Sequence, residues 1–256
     1  MTAGPAALTN PELANPGLSN PELGRACSVW FADLGRHLDA IEDEERRCPR
    51  LSADEIVRAE RTSPDQRRLW RASHIALRDI LERCCGPAVR RVPFASKAGG
   101  RPELDLELVA VGDGARVSFS LSHTADVALI AVSRIGPIGV DIEAVHYRAF
   151  PEARRKKIES IAVDITGGHP LPSDADRRFL QAWTRVEALS KADGRGVLYT
   201  LNSEGAAAQV GAGQPVNAFV VRDLDVGAGY CASIAGAGLP DVMAVKTYVP
   251  PPIRPL

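Results

Sequence analysis

The sequence predicts an α+β fold in two comparable halves, and three observations carry that prediction. Helical spacing over Ala53–Cys85 and again over Asp174–Ala192 is followed each time by short stretches of strand spacing. A Gly136–Pro137 break falls between the two occurrences. Proline-rich ends frame the whole. The resulting divisions are a flexible leader over 1–24, an N-terminal half over 25–135, a C-terminal half over 136–248 and a tail over 249–256.

The leader contains NPELANPGLSNPEL, residues 10–23, in which each proline removes a backbone donor and pushes its predecessor out of the helical region. Val29–Leu38 reads as a strand followed by a turn. Ser52 with Glu55 three residues on makes a capping box, opening a helix over Ala53–Arg61 with Arg58 and Arg61 on its polar side. A longer helix over Pro64–Cys85 carries Leu69, Ala72, Ala76, Leu77, Ile80 and Leu81 at helical spacing, with Gly86 as its stop. Its Arg67, Arg68, Arg71 and Arg78 read as a solvated face.

From Val117 the period becomes two: Val117, Phe119 and Leu121 alternate with Ser118, Ser120 and Ser122. Asp126–Val132 is a buried strand by composition, and Ile138–Ala144 a short strand after the break. A basic helix over Pro151–Val163 and a loop over Gly167–Ser173 precede the helix at Asp174–Ala192, which Gly194 stops. Ala218–Val221 and Tyr230–Ile234 complete the set as strands.

Composition narrows the function. With 45% hydrophobic and 25% charged residues the chain can bury a core and stay solvated. No apolar run nears the roughly 20 residues that cross a bilayer, and Met1–Leu23 lacks a signal-peptide layout, so no membrane role is expected. A net charge of −1 argues against nucleic acid as the main partner. Cys27, Cys48, Cys84, Cys85 and Cys231 form no C-x-x-C pair, and the five histidines lack zinc spacing. A reduced cytoplasmic protein is expected.

Chemistry concentrates in a few stretches. In Gly139-Val-Asp-Ile-Glu143 on a strand, Asp141 and Glu143 share one side while Val140 and Ile142 face the core. Paired carboxylates repel unless a cation joins them, and a hard ion such as Mg²⁺ suits oxygen ligands; an exposed acidic strand end is the plainer alternative. In Trp183-Thr-Arg-Val-Glu-Ala-Leu-Ser-Lys191, Glu187 and Lys191 lie one turn apart, beside an apolar stripe of Phe179, Ala182, Trp183, Val186 and Leu189. Alone they make a surface ion pair. Facing the acidic strand, they would add a third carboxylate and a cation suited to phosphate. Ser122-His123 closes a strand with phosphate-binding donors, or is simply a turn serine and a structural histidine. A nucleophilic Ser–His pair is disfavoured because adjacent strand residues point apart and no G-x-S-x-G elbow is present. Gly99-Gly-Arg-Pro102 is a turn with one arginine.

Taken in order, Phe119–His123, Ile138–Glu143 and Trp183–Lys191 with Gly194-Arg-Gly196 resemble the three signature motifs of the 4′-phosphopantetheinyl transferases. The resemblance is to the larger monomeric, surfactin-synthetase-activating type and spans about Leu51–Ile234. Gly100-Arg101-Pro102 resembles that family's Gly-Lys/Arg-Pro turn, and Arg222–Ser233 its closing hairpin. The resemblance implies two pseudo-symmetric halves, each a small antiparallel sheet packed with a long helix, with a coenzyme cleft between them.

It also implies transfer of the phosphopantetheine arm of coenzyme A to a serine of an apo acyl or peptidyl carrier protein, with 3′,5′-ADP released. Asp141, Glu143 and Glu187 would ligand Mg²⁺, with Mn²⁺ as a substitute; Glu187 would also help take the serine proton, and Lys191 would steady phosphate charge. Ser122 and His123 would contact the coenzyme's phosphates, Arg101 and Pro102 would border its adenine, and Arg58 would lie near its 3′-phosphate. Where the family commonly has lysine this chain has Val186, three residues from Trp183 and so toward the apolar side, where valine packs without an unpaired charge. In the first long helix the customary arginine register holds Leu69 and His74. Arg154, Arg155, Lys156 and Lys157 offer an edge for acidic carriers, or a solvated face. The competing functions are a coenzyme-A-binding module without transfer and a metal phosphohydrolase.

Overall fold

The structure is a computed structural model that describes residues 27–96, 102–104, 117–146, 150–202 and 219–252. The leader, Arg101 and the last four residues of the tail lie outside the described residues.

Strand β1 (Cys27–Asp33) runs directly into helix α1 (Leu34–Arg47), where a turn was expected. Asp33 caps α1 by accepting from the Arg36 backbone at 2.9 Å, and Leu34, Leu38 and Ile41 give it one apolar face. The capping box at Ser52 opens α2 (Ala53–Glu60), and α3 (Pro64–Cys85) ends at Gly86. A two-stranded hairpin, β2 (Phe94–Ser96) and β3 (Pro102–Leu104), precedes β4 (Ser118–Thr124) and β5 (Val127–Ser133).

After these come β6 (Ile138–Ala144), α4 (Glu152–Asp164), α5 (Ala175–Asp193), α6 (Val197–Asn202), β7 (Val220–Asp223) and β8 (Tyr230–Gly236). Helix α6 and the last strand, β9 (Val245–Thr247), were not expected from the sequence. The chain is thus the mixed α+β molecule its sequence predicts.

The order β4-β5-β1-β9 forms one sheet and β6-β8-β7 another. The second sheet is antiparallel throughout. The first has a parallel edge, because β9 pairs in register Val29↔Val245 with β1. The two sheets bury apolar faces against each other: Val29, Val127 and Leu129 meet Val140, Ile142 and Ile234. Trp30, Ala128 and Ile130 point the other way, onto Ile75, Ala76 and Ile80 of α3. Behind the second sheet, Cys231 and Ala235 rest on α5 through Phe179, Val186, Ala188 and Ala192. The layers therefore run helix, sheet, sheet, helix.

Where β4 and β6 meet, hydroxyls replace a main-chain ladder. Ser120 Oγ accepts from the Val140 N–H at 3.1 Å and Thr124 Oγ1 from the Ala144 N–H at 3.4 Å. The hydroxyl-bearing face of β4 thus satisfies the otherwise unpaired edge of β6, as a buried edge requires.

Candidate functional site

Helix α5 carries the largest share of the site and is fixed at both ends. Asp174 accepts from the Arg177 N–H at 2.8 Å, and Gly194 takes the left-handed conformation (φ 78°) that closes the helix. Its rotation is set from below by Arg185, fully buried, which donates to both carboxylate oxygens of Asp223 at 2.8 and 2.7 Å. Its closeness to β6 depends on Gly139: a Cβ there would lie 2.1 Å from the Ala188 carbonyl oxygen. With Val186 buried in the apolar layer, as expected of that position, Glu187 and Lys191 are left for the sheet side.

Asp141, only 5% exposed, is the centre. The Lys191 ammonium donates to Asp141 Oδ1 at 2.7 Å and to the Val140 carbonyl at 3.1 Å. The Ser122 hydroxyl donates to the same Oδ1 at 2.7 Å. Asp141 Oδ2 is buried and has no hydrogen-bond partner among the described residues. Glu143, on the same side of β6, accepts from Thr124 Oγ1 at 3.5 Å. Burial, then the charge of Asp141, and also Glu143, push the Glu187 carboxyl above the usual glutamate value, against the opposing pull of Lys191.

Glu187 therefore lies within electrostatic reach of both strand acids. Among the described residues, however, no three acidic, histidine or cysteine side chains are gathered into a metal-holding group. The donor chemistry still suits a hard divalent cation: all oxygen, with one buried carboxylate oxygen lacking any partner.

Beside the acids opens a cleft of about 370 Å³. Four of the residues given a site role from sequence line it: Arg58 from α2, Pro102 from β3, His123 from β4 and Lys191 from α5. Lys191 belongs to both the cleft and the acidic group. Burial, then the nearby His74 and Lys191, hold the His123 imidazole below the ordinary histidine value. Ser122, next to His123 but on the other side of its strand, spends its hydroxyl on Asp141.

Glu55, His74 and Phe94 also line the cleft and were not assigned to it from the sequence. His74 is stacked on Trp70 at 3.8 Å between ring centroids and hydrogen-bonds through Nδ1 to Glu55 Oε1 at 3.1 Å. Arg78, expected on a solvated face, is instead fully buried, its Nε donating to Glu55 Oε2 at 3.0 Å and its guanidinium 3.7 Å above the Phe94 ring. Burial opposes ionisation of Glu55, but the hydrogen bonds from His74 and Arg78 and the charge of Arg78 prevail, bringing its carboxyl down to about 2. The available signal was Glu55 itself, already explained as half of a capping box.

The basic stretch on α4 divides. Arg154 and Lys157 are exposed, and Lys156 pairs with Glu152 at 2.8 Å. Arg155 is turned inward, donating to the Ala175 carbonyl at 2.8 Å and lying 5.0 Å over the Phe179 ring. None of the described helices is long and apolar enough to cross a membrane.

No protein-family model matches the sequence. Two relatives do. The 4′-phosphopantetheinyl transferase HetI of Nostoc sp. is 32% identical over 171 residues, covering 66% of this chain and 69% of that protein. The Synechocystis sp. protein slr0495, which bears the same transferase name provisionally, is 29% identical over 164 residues, 59% of this chain and 60% of that protein. The chain thus spans about two thirds of the length of these relatives. With that identity to HetI over that coverage, and with the α+β architecture described above, the chain belongs to the 4′-phosphopantetheinyl transferase family.

Proposed function

We propose that this chain moves the 4′-phosphopantetheine arm of coenzyme A to a serine hydroxyl of an apo acyl or peptidyl carrier protein, in a Mg²⁺-dependent reaction that releases 3′,5′-ADP. It is read as the holo-[acyl-carrier-protein] synthase type of enzyme, acting as a cytoplasmic monomer in peptide or polyketide biosynthesis. The observation that carries this reading is the state of Asp141: one oxygen held by Lys191 and Ser122, the other buried and without a partner, at the side of a cleft lined by Arg58 and His123.

Asp141, Glu143 and Glu187 are the residues that would hold Mg²⁺, which supplies positive charge where the coenzyme's pyrophosphate oxygens gather it. Lys191 is placed to neutralise charge on the transferred phosphoryl group, since it already faces both acid and cleft. Arg58 and His123 bind the phosphate at the nucleotide end, with Pro102 and Arg101 bordering the adenine. Glu187, which the same reading places at the cation, is also the group that would accept the proton of the attacking serine.

Incubation with Mg²⁺, coenzyme A and an apo carrier should raise the carrier's mass by one phosphopantetheine, about 340 Da. Asp141→Ala and Glu187→Ala should each abolish the gain while keeping the native far-ultraviolet circular dichroism. A carrier of unchanged mass, with coenzyme A bound or hydrolysed, overturns the proposal.

A further inference from the structure

We propose that Ser122 is a positioning residue for Asp141, fixing which carboxylate oxygen is offered to a divalent cation, and that it is not a contact for the coenzyme. The inference rests on the transferase reading above and reassigns one residue within it. Ser122 and His123 are neighbours on an extended strand, so their side chains leave opposite faces. His123 lines the cleft; the Ser122 hydroxyl lies 2.7 Å from Asp141 Oδ1. A hydroxyl has a single proton to donate, and here it is committed to a carboxylate that is 5% exposed.

Two donors, Ser122 and Lys191, converge on that one oxygen. They fix the orientation of the carboxylate and occupy Oδ1. Oδ2, buried and unpaired, is the oxygen left open to a ligand. A buried carboxylate oxygen without a partner is costly, and a cation is the group that repays it. The bond from Ser122 also crosses between the two sheets, from β4 to β6. The strand that presents His123 to the cleft therefore also sets the acid for the cation, one residue apart.

The test uses the full chain as wild type, Ser122→Ala, Ser122→Thr and His123→Ala, with Mn²⁺ as the probe. Free Mn²⁺ is read by electron paramagnetic resonance at saturating coenzyme A, and coenzyme A affinity by calorimetry in EDTA. Ser122→Ala should weaken Mn²⁺ binding about tenfold or more and leave metal-free coenzyme affinity within about twofold. Ser122→Thr, which keeps the hydroxyl, should restore Mn²⁺ binding, and His123→Ala should lose coenzyme affinity instead. If Ser122→Ala does not fold, Ser122→Cys, similar in size but a weak donor, replaces it. A fall in metal-free coenzyme affinity equal to that of His123→Ala, or unchanged Mn²⁺ binding, overturns the inference alone. Wild-type protein that binds no Mn²⁺ beside coenzyme A removes the divalent-cation reading as well.

Discussion

Glu55 is 3% exposed, with its carboxylate held between Ser52, His74 and Arg78. Its folded value of about 2 lies below the ordinary 4.5. Ionised Glu55 therefore stabilises the fold fully above about pH 4.5, and that contribution disappears as pH falls through about 2. Its size is on the order of 3 kcal/mol at neutral pH. Glu55→Gln should lose about that much unfolding free energy at pH 7 and show a flatter stability profile between pH 4.5 and 2, measured by urea denaturation. Matching acid profiles for the two proteins would remove this assignment. The capping role of Glu55 was legible because its partner is three residues away. Its contacts with His74 and Arg78 span 19 and 23 residues, and no local spacing encodes them. Arg78 was misplaced for the same reason: a buried arginine looks like a surface one until its carboxylate is known.

Elements with strong periodicity were legible almost to their ends. The bounds of α3 match those read from sequence, and α5 runs Ala175–Asp193 where Asp174–Ala192 was expected, because caps and apolar stripes agree there. Helix α1 is not legible because its large apolar residues, Leu34, Leu38 and Ile41, are diluted by charge over its 14 residues. Strand β9 is three residues long and finds its partner far back in the chain, so its own sequence says little. Gly139 shows how elements define the site together. Gly139→Ala would drive a methyl into the α5 backbone, shifting the helix that bears Glu187 and Lys191. We expect a loss of about 2–3 kcal/mol in chemical denaturation and transfer activity reduced beyond what that loss explains. An alanine variant with wild-type stability and rate would show that α5 does not need this approach.

For the molecule as a whole, the sequence motifs named Asp141, Lys191, Ser122 and His123, but the contact of Ser122 and Lys191 with Asp141 depends on two sheets stacked face to face and bridged by the hydroxyls of β4. That stacking is invisible in any one motif. On the proposed function, recognition of a carrier would also be a property of the whole surface. Arg154 and Lys157 face outward on α4, whereas Arg155 is engaged with α5. Reversing Arg154 and Lys157 to glutamate should raise KM for an acidic carrier severalfold at unchanged coenzyme affinity, and more so at low salt. Arg155→Glu should instead lower the melting temperature. Carrier kinetics untouched by the double reversal would place docking elsewhere.

Strand β9 has a consequence for how the protein is made. Val245–Thr247 lies against Val29–Phe31, the Tyr248 N–H donates to the Phe31 carbonyl at 2.8 Å, and Lys246 stands over the Trp30 ring. The sheet that leaves the ribosome first is completed by a strand translated only after β6, β7 and β8, so β1 must wait, unzipped along one side, until that strand emerges.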